Sequence, residues 1–137
     1  MKKAIFLFLV AVLVVSCQDS VPEPLSTKQI INLTVKQASW VEHTDVDGLN
    51  RYYSCHFSMP EINSVVFNSG SVTAYYYNST AQQLLPYVRH YENTAGQHWT
   101  QTVDFDYTQG GMDIYVTSSD FAAIRPDAMD FRVVLMW

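Results

Sequence analysis

From Gln29 onward, apolar and polar residues alternate with a period of two, the pattern of strands that bury one face. Ile31, Leu33 and Val35 alternate with Asn32, Thr34 and Lys36. Tyr53, Cys55 and Phe57 alternate with Ser54, His56 and Ser58, and Val72, Ala74 and Tyr76 with Thr73, Tyr75 and Tyr77. Trp99, Val103 and Phe105 alternate with Thr100, Thr102, Asp104 and Asp106. Met112, Ile114 and Val116 alternate with Asp113, Tyr115 and Thr117, and Phe131, Val133 and Leu135 form the last run. Leu84 to Tyr91 is a further strand candidate, and Pro86 marks it as an edge because proline cannot donate to a ladder. Turn signals separate the runs: Asp47-Gly48, Met59-Pro60, Ser69-Gly70, Ala95-Gly96, Gly110-Gly111 and Arg125-Pro126. A two-residue turn at Gln109-Gly110 sets Tyr107 against Met112, Phe105 against Ile114 and Val103 against Val116. All the apolar residues then share one face, and a one-residue slip would destroy the match.

Two segments break the alternation. Glu61 to Ser69 places Ile62, Val65 and Val66 at helical spacing after Pro60, which predicts one or two helical turns over a sheet end. Ser118-Ser119-Asp120 is placed to cap another short turn through Ile124. No segment is a helix long enough for a βαβ crossover, which disfavours a parallel sheet. The expected fold is all-β: an antiparallel two-sheet β-sandwich of seven or eight strands with one or two short helical turns. A closed up-and-down barrel is the second choice.

The N-terminus has a different character. Met1-Lys2-Lys3 precedes an uncharged apolar run from Ala4 to Val15. That run is shorter than the roughly 20 residues a membrane-spanning helix needs, and its form is that of a secretory signal peptide. Val14-Val15-Ser16-Cys17 resembles the lipobox of bacterial lipoproteins. The resemblance implies a signal peptide over 1–16, a thioether to diacylglycerol at Cys17, and acylation of the new amino terminus by chains such as palmitate. At ~0.8 kcal/mol per buried methylene, several chains anchor durably where one does not. Residues 17–28, with Pro22 and Pro24 and no periodicity, read as a lipidated flexible tether, leaving 29–137 as the sandwich domain. Asp19 and Glu23 loosely resemble the acidic signals that direct Bacteroidetes lipoproteins to the outer face of the outer membrane. Asp19-Ser20-Val21 resembles that phylum's O-glycosylation motif, with Ser20 as acceptor.

Four further stretches carry a resemblance of their own: Asn50 through Tyr52, Tyr53 and Phe57 to Pro60-Glu61-Ile62; Val66 to Val72; Leu84-Leu85-Pro86-Tyr87; and Phe131-Arg132-Val133-Val134 to Met136. Together they are similar to a group of small exported Bacteroidetes lipoproteins. That resemblance implies an all-β exported domain and carries no established activity.

Charge and chemistry narrow the function. The chain has 8 Lys and Arg against 13 Asp and Glu, a net charge of −5. Loss of Lys2 and Lys3 with the signal leaves six basic residues and a net charge of −7. No basic stripe is available to neutralise phosphates, so nucleic acid is not an expected partner. Cys55 shares the phase of Tyr53 and Phe57 and reads as a buried thiol, while neighbouring His56 points to the other face. The four histidines lie on separate elements without metal-site spacing, and neither a cofactor nor a metal is implied. Asp45-Val46-Asp47-Gly48 opens like a calcium loop but lacks the later ligands, which leaves a plain turn.

In the 109–110 hairpin Asp106 falls opposite Asp113, with Asp104 on the same face. Like charges so placed repel. Open water, a basic side chain or a cation would relieve them. Tyr52, Tyr75, Tyr77 and Tyr115 fall in the solvent phase and form a candidate binding platform for a glycan or an envelope protein. No G-x-S-x-G, P-loop, H-E-x-x-H or dinucleotide fingerprint is present. The expectation is a lipid-anchored cell-envelope protein on the outer membrane, surface-exposed or facing the periplasm, acting as a non-catalytic binding or assembly module. The alternative is a small glycan-acting hydrolase using an Asp/Glu pair. A subunit of a surface assembly, with the C-terminal strand as an open edge, is a third reading.

Overall fold

The alternating runs form strands, and their apolar halves meet in a single core. The structure, a computed structural model, describes residues 27–122 and 124–137. Among them are nine strands: β1 (Lys28–Val35), β2 (Val41–Thr44), β3 (Arg51–Ser58), β4 (Ser71–Asn78), β5 (Ala81–Leu84), β6 (Tyr87–Glu92), β7 (His98–Thr108), β8 (Gly111–Ser118) and β9 (Met129–Met136). One sheet has the order β1-β9-β4-β5 and the other β2-β3-β8-β7-β6, with every neighbouring pair antiparallel. The fold is an all-β two-sheet sandwich, and neither sheet closes into a barrel. The count exceeds the expected seven or eight because β2 and β5 are only four residues long. Runs that short carry too little alternation to stand out.

The hairpin joining β7 and β8 has the register its apolar residues dictate: Tyr107 opposite Met112, Phe105 opposite Ile114, Val103 opposite Val116. Gly110 takes φ 88°, a left-handed turn conformation that suits glycine. The inward faces of β9, β4 and β1 present Phe131, Val133, Leu135, Val72, Ala74, Ile31 and Leu33 to that hairpin and to Tyr53 and Cys55 of β3. Fully burying one such aliphatic or aromatic side chain contributes about 1.5–3 kcal/mol. Leu84 to Tyr91 divides at Leu85-Pro86, a cis peptide, into the end of β5 and all but the last residue of β6. Those strands are edges of different sheets, so the edge expected from Pro86 is present on both sides of the crossing.

The segment after Pro60 forms α1 (Ser64–Ser69), capped by Asn63, whose side chain accepts from the Val65 and Val66 amides. Ile62 and Val66 are fully buried, but Val65 is 54% exposed: the segment is too short to turn three apolar residues inward. The turn expected over Ser118 to Ile124 is not helical. Asp120 does accept from the Ala122 amide, yet Phe121 takes φ 51° and Ile124 is 72% exposed. A cap without an apolar face to bury does not hold a helix. A 3-10 turn at Gln37–Ser39 appears instead between β1 and β2. β9 lies between β1 and β4, so the C-terminal strand is not an open edge. Lys28, assigned to the tether, is the first residue of β1. The rest of the tether before Thr27 and the signal segment fall outside the described residues. No helix among the described residues is long and apolar enough to cross a membrane.

Candidate functional site: a cleft at the open end of the sandwich

The two ends of the sandwich are built differently. At the β7–β8 turn, the Met59 amide donates to the Gly110 carbonyl at 2.9 Å and the Gly110 amide to Ile62 at 2.8 Å. This pins the segment leading into α1 across the sheet end, with Met59, Ile62 and Val66 sealed beneath it. The other end is open. β7 has 11 residues, and its first three extend past the end of β8, whose last partner is Gln101 opposite Ser118. Trp99 and Gln101 share the inward phase of Val103 and Phe105, and unlike the fully buried Val103 they are only half-buried. They line a cleft of about 250 Å³ between the sheets.

Tyr91 of β6 stands directly opposite Trp99. Their rings are parallel within 14° with centroids 5.5 Å apart. Tyr76 of β4 supplies the wall from the other sheet. The loop between β8 and β9 lines one side of the cleft and brings Asp120, Arg125 and Asp127 to it. That loop is tied at both ends. The Asp127 carbonyl accepts from the Trp40 indole at 3.0 Å, its carboxylate from Gln37 at 3.2 Å, and Ser119 and Thr100 exchange two hydrogen bonds at 2.8 and 2.9 Å. Tyr91 and Trp99 also line a shallow groove of about 400 Å³ with His90, His98, Thr100 and Ser119. The aromatic pair therefore borders both cavities. Flat apolar faces beside a few polar groups in a concave site are the ordinary make-up of a ligand pocket.

The tyrosines expected to form a platform are divided. Tyr52 and Tyr115 lie on the five-stranded sheet, with ring centroids 6.3 Å apart and His43 stacked on Tyr52 at 5.0 Å. Tyr75 and Tyr77 lie on the four-stranded sheet, where the Arg132 guanidinium sits 5.2 Å from the Tyr77 ring centroid. The four do not make one surface, because β4 belongs to a different sheet from β3 and β8. Cys17 and Ser20 lie outside the described residues.

The carboxylates of the β7–β8 hairpin have the predicted placement, with Asp106 opposite Asp113. Their repulsion is met by neighbours: His56 lies 3.1 Å from both oxygens of Asp113, and the Tyr115 hydroxyl donates to Asp106 at 3.1 Å. Burial, the bond to Asp106 and that carboxylate's charge push the Tyr115 phenol up to about 12. Burial, then the charge of Asp106, raises Asp104. Among the described residues no group of three or more His, Cys, Asp or Glu side chains is arranged to hold a metal ion.

Cys55 is buried, and burial raises its thiol above the ordinary value, while His56 points out to Asp113. Asp45 accepts from the Asn50 amide and side chain, and that backbone bond lowers its carboxyl in a plain turn. One pair had no signal in the sequence: His43 Nε2 lies 2.8 Å from Ser54 Oγ. It sits on the outer face of the sheet, and no carboxylate among the described residues orients the ring, so it lacks the third member of a nucleophilic relay.

No protein-family model, curated protein or solved structure matches the chain, so the cleft's function rests on its own chemistry.

Proposed function

We propose that the protein is a lipid-anchored cell-envelope protein, held at the outer membrane through Cys17, whose sandwich is a non-catalytic binding module with the open-end cleft as its site. The observation that carries the binding reading is the half-buried Tyr91–Trp99 pair, which borders two cavities on an otherwise core-facing strand surface. Aromatic area left partly exposed inside a concave site is characteristic of ligand contact. The apolar run, Cys17 and the resemblance of the leader to lipoprotein signals support the anchoring.

Mass spectrometry of the membrane-extracted product tests the anchor. The expected species starts at Cys17 and carries thioether-linked and amide-linked acyl chains; an intact Met1 contradicts it. A thermal-shift screen of small molecules tests the module. Ligands that raise the melting temperature of the parent chain but not of Trp99→Ala are the expected result, and a screen without such ligands contradicts it.

A hydrolytic reading has one observation in its favour: Asp120 and Asp127 both line the cleft. It requires turnover of a saccharide that is lost on Asp120→Asn or Asp127→Asn.

A further inference from the structure

The geometry points to a neutral, linear oligosaccharide as the ligand, with consecutive sugar rings lying in the cleft and in the groove and crossing the Tyr91–Trp99 pair between them. The inference rests on the reading of the cleft as a binding site and gives it a chemical class.

Shape argues first. The two rings are nearly parallel, at 14°, and lie on adjacent strands at the border of both cavities. The pair is an offset stack that is only half-buried, so aromatic surface remains at the border of each cavity, which suits linked rings that each carry an apolar C–H face. The cleft and the groove, at about 250 and 400 Å³, lie below or near the lower end of the roughly 300–1,000 Å³ of drug-sized sites, which suits a ligand divided between them.

Polarity argues second. Around the aromatic wall stand Gln101, Ser118, Asp120, Arg125 and Asp127, a mixture of donors and acceptors suited to a rim of hydroxyls. A lipid tail would strip these groups of water and return no hydrogen bonds. Charge argues third. Two carboxylates against one guanidinium disfavour phosphate and acidic polymers in the cleft, and the groove adds only His90 and His98. Arg125 in the same wall disfavours a simple cation.

The test is isothermal titration and tryptophan fluorescence of the full chain, purified in a detergent without a sugar headgroup. The probes are mono- to hexasaccharides of neutral β-linked glucose, xylose, mannose and N-acetylglucosamine. At least one series is expected to bind, to tighten about tenfold or more between one ring and two or three, and to shift the tryptophan emission of the parent chain but not of Trp99→Ala. Trp99→Ala and Tyr91→Ala are expected to weaken it about tenfold or more, the loss of an aromatic anchor. Trp99→Phe, which keeps a stacking face, recovers most of that loss and guards against a folding artefact. Tyr52→Ala and Tyr77→Ala, on the outer faces, leave binding unchanged.

Absence of binding across all series overturns the proposal, as does binding indifferent to Trp99→Ala or to chain length. Trp99-dependent binding of an amino acid, peptide or other non-saccharide overturns the class while the cleft reading stands. Silence with saccharides and in the small-molecule screen removes both.

Discussion

The two ends of the sandwich use the same materials for opposite purposes. At the closed end the β7–β8 turn hydrogen-bonds to Met59 and Ile62, and α1 covers the sheet edge with Val66 fully buried. At the open end β7 extends past its neighbour and leaves Trp99 and Gln101 lining a cleft. Both ends place large apolar side chains on the inward face of the same strand. At the closed end the connecting segment seals its own Met59, Ile62 and Val66 against the sheet, whereas the inward Phe105 and Tyr107 of β7 stay half-buried, as Trp99 does at the open end. The difference teaches that inward phase is not burial: coverage by the opposite sheet or by a connecting segment decides which residues stabilise and which remain available to a ligand.

The comparison can be broken most forcefully at the closed end. Ile62→Ala opens a cavity under α1 and is expected to cost about 2–4 kcal/mol in urea unfolding. Gly70→Ala comes next. A Cβ there would lie 2.6 Å from the Met136 carbonyl oxygen and 2.8 Å from that of Val66, both backbone atoms, so α1 or β9 must shift. The expected loss is about 1–3 kcal/mol by the same measurement. Asn63→Ala removes the side-chain acceptor from the Val65 and Val66 amides and is expected to cost about 1 kcal/mol.

The smallest effect has the opposite sign and lies between the ends, on the outer face of the hairpin. Asp104 has a raised carboxyl, first from burial and then from Asp106. A raised carboxyl means that the folded chain holds its proton more tightly. Its ionisation therefore opposes folding. The cost begins as pH rises above the ordinary value of 3.8 and is complete above the raised folded value. Asp104→Asn is expected to stabilise the chain by roughly 0.5 kcal/mol at neutral pH, a figure reduced by solvent screening, and by nothing below that window. Unfolding curves of both chains across pH measure it.

Register was legible in the sequence where alternation was strong. The Tyr107–Met112 hairpin and the inward faces of β3, β4 and β9 follow directly from it. Sheet membership was not legible, because alternation assigns a face and not a sheet; hence Tyr52 and Tyr115 are separated from Tyr75 and Tyr77. The cleft was legible only in retrospect. Gln101 is a polar residue in the inward phase of β7, the mark of a position the core does not cover. Tyr91 carried no signal, because Arg89 occupies the matching phase of β6 and obscures the alternation. The loop from Ser119 to Ala128 has no period to read, and its place depends on tertiary bonds to Trp40, Gln37 and Thr100.

The most direct test of the contrast is equilibrium urea unfolding of Trp99→Ala beside Ile62→Ala. If the open end is left free for a ligand, Trp99→Ala keeps the parent stability to within about 1 kcal/mol, the scale of an aromatic pair contact, while Ile62→Ala loses at least twice as much. A loss of about 3 kcal/mol or more from Trp99→Ala, the cost of deleting a core aromatic, would contradict the account.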